Sequence, residues 1–230
     1  VSTQRRLAVL AVAGGIALAG AGAAGLLEHP TTAAVAAPDI GTLPAPSHPP
    51  APVPGHGTAG PLSGDPAPDR HAPPVRLRIP RIGVDTAVTD LQVEADGHLA
   101  APATPDVAGW WSNGPAPGGP GNAVLVGHVD SLTGPAVFAG LSDLRPGDGI
   151  DVAEADGTTV PFTVRALRGF TKDNFPDDLV YGTTATPGLR LITCGGAYDH
   201  DTHEYLSNLV VFAEPTPPAP STSSPQRRTS

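Results

Sequence analysis

The sequence predicts an all-β domain: a closed or nearly closed barrel of about eight short strands, with one or two short helices. Three observations carry this. Short apolar segments recur from Val75 to Phe212, and VRLRIP (Val75–Pro80) alternates apolar and basic residues with the period of a half-buried strand. Turn signals separate them at Asp96-Gly97, Gly118-Gly119-Pro120-Gly121, Pro146-Gly147-Asp148-Gly149 and Asp156-Gly157. Helical apolar spacing is confined to Ala136–Leu144, room for about two turns.

Taken in order, the strands expected after Val75–Pro80 are Asp85–Val88, Leu91–Val93, Ala123–Gly127, Gly149–Val152, Val160–Leu167, Leu189–Thr193 and Leu209–Phe212. The last two bracket a polar, glycine-led stretch that reads as a loop. This domain is expected to span residues 75–215, and the tail, residues 216–230, has the low complexity of a disordered segment.

The N-terminal third has another character. Arg5-Arg6 precede an uncharged run of 21 residues, Leu7–Leu27, long enough at about 1.5 Å per residue to cross a hydrocarbon core of roughly 30 Å. An uncleaved anchor is favoured over a cleaved signal peptide, because the run exceeds the usual apolar length of such peptides; Ala34-Val35-Ala36 would be the cleavage site of the latter. Residues 1–27 are therefore expected to be a membrane segment, with all that follows outside the cytoplasm. Residues 28–74 hold Pro, Ala, Gly, Thr and scattered His with few large apolar residues, the composition of an extended spacer.

A net charge of −9 argues against nucleic-acid binding, since nothing in the sequence supplies a basic stripe to neutralise phosphates. The chain has one Cys, so it has no intramolecular disulfide, and an exported protein with one free thiol either uses it or buries it. Cys194 stands where the Leu189–Thr193 strand meets Gly195-Gly196, a position that can present a nucleophile at a sheet edge. The competing reading is a small buried hydrophobe. A thiol nucleophile needs a partner that favours the thiolate and later protonates a leaving amine. His128 ends the apolar strand Ala123–Val126 through Gly127 and is suited to that task, if the fold brings the two strand ends to one rim. No CxxC or HExxH spacing supports a metal, and no phosphate-binding glycine motif follows a strand, so neither metal nor cofactor is expected.

These residues carry a family resemblance. LRLITCGG (Leu189–Gly196), GHVD with SLTGPAVFAGLSDLRPGD (Gly127–Asp148) and IPRIGVDTAV (Ile79–Val88) resemble the sortases, cell-wall cysteine transpeptidases, and look closest to the actinobacterial class F group. The resemblance implies an eight-stranded sortase-like β-barrel tethered by an N-terminal transmembrane helix. It implies Cys194 as nucleophile and His128 as general acid/base. The expected substrates are surface proteins with an LPXTG-type signal, cleaved between Thr and Gly and transferred through a Cys194 thioester to a peptidoglycan amine.

One residue departs from the pattern. Sortases carry an Arg at the start of the last strand, and no Arg occurs between Cys194 and Ala213. Asn208 stands in the corresponding place; His203, Arg190, the Thr193 hydroxyl and the Gly195 N–H are further candidates for the oxyanion or substrate contact. Gly169–Gly188 corresponds to the loop over the substrate groove, with Phe175, Pro176, Val180 and Tyr181 as apolar walls beside Ile192, or as ordinary anchors of a surface loop. Two other functions compete: a non-catalytic exported barrel binding peptide or wall polymer, and an L,D-transpeptidase-type enzyme, whose Cys context Ile192-Thr193-Cys194-Gly195-Gly196 does not match.

Overall fold

Apolar runs on alternating faces must bury both sides of the sheet they form, and here they do so with a closed sheet inside and a short cover outside. The computed structural model describes residues 39–44, 71–95, 99–201 and 203–217. The barrel strands are β2 (Pro74–Ile79), β3 (Val84–Leu91), β4 (Ala108–Trp111), β5 (Gly121–Val126), β8 (Gly149–Glu154), β9 (Thr159–Thr171), β10 (Pro187–Asp199) and β11 (Glu204–Pro215); β1 (Ile40–Gly41) and the hairpin β6 (Asp130–Ser131) and β7 (Gly134–Pro135) are accessory. The order around the barrel is β9-β11-β10-β5-β4-β3-β2-β8, closed by pairing of β8 with β9. β3–β4 and β5–β10 are parallel, and the remaining barrel pairs are antiparallel.

Strand alternation sorts the side chains. Leu189 and Leu191 of β10, with Leu209, Val211 and Ala213 of β11, point into the barrel against Leu77, Ile79, Leu125, Ile150 and Phe162. Ile192, Val210 and Phe212 point outward into a second cluster with Val124, Ala166 and Val180. The cover over that outer face is the segment after β9, which holds the short helix α1 (Asp177–Tyr181). Asn122 ties it down by donating from Nδ2 to the Gly182 carbonyl at 3.2 Å.

The structure corrects several expectations. Ala136–Leu144 is not a two-turn helix but a chain of turns with one 3-10 turn, Leu141–Asp143. Phe138, Leu141 and Leu144 are all fully buried, at the spacing of three that a 3-10 turn places on one side. Asp85–Val88 and Leu91–Val93 are not two strands: Val84–Leu91 is one, and Val93 makes an isolated bridge to Leu99. β4 was not expected, because AGWW is too short to show a period. The stretch from Gly195 to Asn208, expected as a loop, zips up as an extended β10–β11 hairpin that resumes after a register shift between Gly195 and Tyr198. Gly196 takes φ +75° there, a backbone conformation open to glycine at little cost.

The stretch read as a spacer also contributes to the barrel. His71 Nδ1 lies 3.1 Å from Glu154 Oε1, so the folded region begins before Val75. Further upstream, β1 pairs with β9, Ile40 opposite Leu167 and Gly41 opposite Ala166. The Arg168 guanidinium clamps it, Nη1 donating to the Ile40 carbonyl at 2.6 Å and Nη2 to the Gly41 carbonyl at 2.7 Å. Gly41 sits at φ +78°, and a Cβ there would lie 2.0 Å from the Arg165 carbonyl oxygen. Leu7–Leu27 and residues 218–230 lie outside the described residues; among the described ones no helix is long and apolar enough to cross a membrane.

Gly41→Ala is expected to detach residues 39–44, since strain and clash together exceed about 1 kcal/mol. Limited proteolysis should then cut near residue 41 faster than in the wild type while the barrel stays resistant. Equal cutting rates would show that β1 does not depend on that contact.

Candidate active site

The parallel pair β5–β10 sets the site. Its register runs from Pro187 opposite Gly121 to Ile192 opposite Val126, and Gly127 N–H adds a bond to the Ile192 carbonyl at 3.1 Å. His128 is two residues past Val126, and Cys194 is two past Ile192. The two candidate residues therefore leave neighbouring strands at the same level. Gly127 makes this passage possible: a Cβ there would lie 2.6 Å from Phe138 Cδ2 and 2.8 Å from Val137 Cγ1.

His128 is half-buried and held at both ends. Its carbonyl accepts the Phe138 N–H at 2.9 Å, and its ring Nε2 lies 2.8 Å from the Pro102 carbonyl oxygen. A carbonyl only accepts, so Nε2 carries the proton in that contact, and Nδ1 of a neutral ring is left as the basic nitrogen. Among the described residues no hydrogen bond joins His128 to Cys194. Burial holds the Cys194 thiol above its ordinary pKa; the Lys172 charge opposes this, and the Asp130 and Glu204 charges add to it. The thiol is thus protonated at rest, and the His128 Nε2 is engaged with Pro102. Chemistry requires the ring to leave Pro102 or to act through Nδ1.

Cys194 borders a cleft of about 160 Å³ that Thr193, Tyr205, Ser142 and Phe138 also line. Tyr205 donates from its hydroxyl to Asp130 Oδ2, joining the far hairpin to the loop that follows His128. That bond, with burial and further charge repulsion, pushes the Tyr205 pKa up to about 12. Thr193 Oγ1 is buried with no hydrogen-bond partner among the described residues.

The remaining candidates fall in different places. Asn208 is directly opposite Cys194 in the β10–β11 register, and opposed residues share a face. Gly195 is opposite Ser207. His203 lies exposed in the hairpin turn with a left-handed φ of 58°. Arg190 is four residues from Cys194 along β10, roughly 13 Å of strand. It is 4% exposed, its guanidinium carbon stands 4.8 Å from the centre of the Phe212 ring, and Nη1 donates to the Leu189 carbonyl at 3.1 Å. Burial lowers its pKa to about 10. Of the apolar wall, Phe175, Val180 and Tyr181 join Ile192 in the outer cluster, on the face that carries Cys194, and Pro176 lies half-buried before α1. Trp111 packs edge-on to Tyr181, with centroids 5.7 Å apart. No group of three or more His, Cys, Asp or Glu able to hold a metal occurs among the described residues.

Sequence reasoning missed Asp130, Lys172 and Tyr205. Asp130 follows His128 by two residues, a weak local signal, whereas Lys172 and Tyr205 reach the site only through strand pairing.

The sortase domain family matches residues 77–216, 140 of the 230 in the chain. The chain belongs to the sortase family. No curated protein matches it. Solved structures similar to this sortase include sortase A from Corynebacterium diphtheriae, at 20% identity and TM-score 0.49 over 66% of this chain and 64% of that one. A lid mutant of that sortase A gives 20% identity and TM-score 0.50 over 66% and 75% of the two chains. Sortase C-1 from Actinomyces oris gives 25% identity and TM-score 0.49 over 63% and 73%. This sortase thus spans less than two thirds of the C. diphtheriae sortase A chain, and the likeness at these identities is one of fold.

The raised thiol pKa predicts that Cys194 is mostly protonated at neutral pH. Alkylation by iodoacetamide should be slower at pH 7 than that of a free peptide thiol. It should accelerate with pH to a midpoint above the ordinary thiol value of about 8.5. A midpoint below that value would contradict the assigned environment.

Proposed function

We propose that this sortase is a membrane-anchored cysteine transpeptidase of the class F type. It cleaves an LPXTG-type signal between Thr and Gly and passes the protein to a peptidoglycan amine. The observation that carries the reading is the β5–β10 register, with His128 and Cys194 each two residues past Ile192 opposite Val126. A binding protein has no need of an imidazole and a thiol at one level of adjacent strands.

In this mechanism the Cys194 proton passes to His128, and the thiolate attacks the Thr carbonyl. His128 then protonates the departing glycine nitrogen, and the carbonyl re-forms as a thioester. An incoming amine attacks the thioester, His128 takes its proton, and the thiolate leaves. Water in place of the amine gives hydrolysis. The face that carries Cys194 also carries Ile192, Phe175, Val180 and Tyr181, which suits an extended apolar peptide lying along β10. Asn208, opposite the thiol, is the candidate for a neutral hydrogen bond to substrate or oxyanion; Thr193, whose hydroxyl lacks a partner, is the second. The uncharged run Leu7–Leu27 supports a single membrane anchor and an extracytoplasmic domain.

The test is cleavage of a quenched LPXTG peptide by the full chain in detergent, with and without an amine acceptor. Cys194→Ala should abolish cleavage, and His128→Ala should reduce it by about 10²–10⁴-fold. The acceptor should divert product from acid to amide. Undiminished cleavage in either variant would remove the mechanism.

A further inference from the structure

The reaction proposed above passes through two anionic states at one place: the Cys194 thiolate, and the oxyanion formed when it attacks a carbonyl. A nearby cation stabilises both. No Arg occurs between Cys194 and Ala213 to do this, and Asn208 brings no charge.

The neighbouring strand does supply a cation. β10, β11 and β9 lie side by side, with Cys194 opposite Asn208 and Asn208 opposite Phe170. These three side chains leave one face of the sheet, the face of Ile192, Val210 and Phe212. Lys172 lies two residues beyond Phe170, where β9 ends and a 3-10 turn begins. Strand spacing and rise put its Cα roughly 12 Å from that of Cys194, a gap spanned by a long lysine stem and a substrate carbonyl. Its ammonium lies 3.1 Å from Glu204 Oε2, and Glu204 leaves the same face of β11 as Asn208, four residues away. Lys172 is the only lysine in the chain.

The other cations nearby are committed elsewhere. Arg190 is buried on Phe212, and Arg168 clamps the carbonyls of β1. His203 is exposed in the turn. The remaining charged groups about the thiol are acidic: Asp130, bonded to Tyr205, and Glu204.

We propose that Lys172 supplies the positive charge that stabilises the anionic states on Cys194, from the turn that follows β9. This rests on the thioester reading above. In the step it assists, sulfur forms a bond to the carbonyl carbon and the carbonyl π pair moves to oxygen. Lys172 keeps all three protons throughout. Glu204 holds the ammonium at the end of the hairpin and offsets part of its charge. The influence of Lys172 on the thiol, opposite in sign to those of burial, Asp130 and Glu204, agrees with this placement.

Two measurements on the full chain in detergent test it: peptide cleavage, and the pH midpoint of Cys194 alkylation. Lys172→Met should lower kcat about 10- to 100-fold with a much smaller change in KM, and should move the alkylation midpoint upward. Lys172→Arg should restore both, which a merely misfolded or loosened loop would not allow. Glu204→Gln should move the midpoint downward. An unchanged kcat in Lys172→Met overturns the proposal. If the wild type cleaves no peptide, the transpeptidase reading fails and the midpoint decides alone: an upward shift in Lys172→Met keeps Lys172 as the cation of the thiol, and an unmoved midpoint removes it.

Discussion

A parallel pair of strands cannot be joined by a tight turn, and the pairing of β5 with β10 is the constraint on which the site depends. The chain leaves β5 at Val126 and returns to lie beside it only at Pro187. Between them it builds β8 and β9, which close the barrel, and the α1 segment, which covers its outer face. The pairing of Ile192 with Val126 therefore spans that whole crossover in sequence. The level at which His128 and Cys194 emerge is thus a property of the closed sheet, not of either strand. Gly127 is the local concession that this register demands, because Phe138 occupies the space a side chain would take.

The environment of the thiol is a balance of opposed effects. Burial and two carboxylates keep it protonated, while one ammonium opposes them. A permanently ionised thiolate is open to oxidation, whereas a thiol that stays protonated at rest is protected. The contact between His128 Nε2 and the Pro102 carbonyl keeps a proton on that nitrogen and fixes the orientation of the ring. The Tyr205–Asp130 bond and the Lys172–Glu204 pair stiffen the two sides of the extended hairpin around Cys194.

Much of the barrel was legible because its strands repeat a physical pattern. Val75–Pro80 alternates, and its neighbours are apolar runs cut by glycine turns; both are signatures of strands whose burial is decided locally. The pattern failed where local rules gave way to contacts. Ala136–Leu144 has apolar residues at helical spacing, yet Gly140 interrupts it, and the barrel mouth takes Phe138, Leu141 and Leu144 as a plug of turns. Residues 39–44 have the composition of a linker, and what holds them on β9 is strand pairing and the Arg168 guanidinium, 128 residues from Ile40. The Gly195–Asn208 stretch looked like a loop because its residues are polar, but an extended hairpin beyond a barrel rim has no core to bury and can be polar on both faces.

The sequence by itself singled out Cys194 and His128 as candidates, the single thiol and the imidazole at the end of an apolar strand, and it showed apolar segments of a length suited to a small barrel. Their shared level was decided only by the tertiary structure, as was the choice of Lys172, Asp130 and Tyr205 as the charges and hydrogen bonds around the thiol. The reason is register. A strand's pattern says which face a residue occupies, but the residue across from it depends on how far neighbouring strands slide before their hydrogen bonds lock, and that is set by closure of the whole sheet.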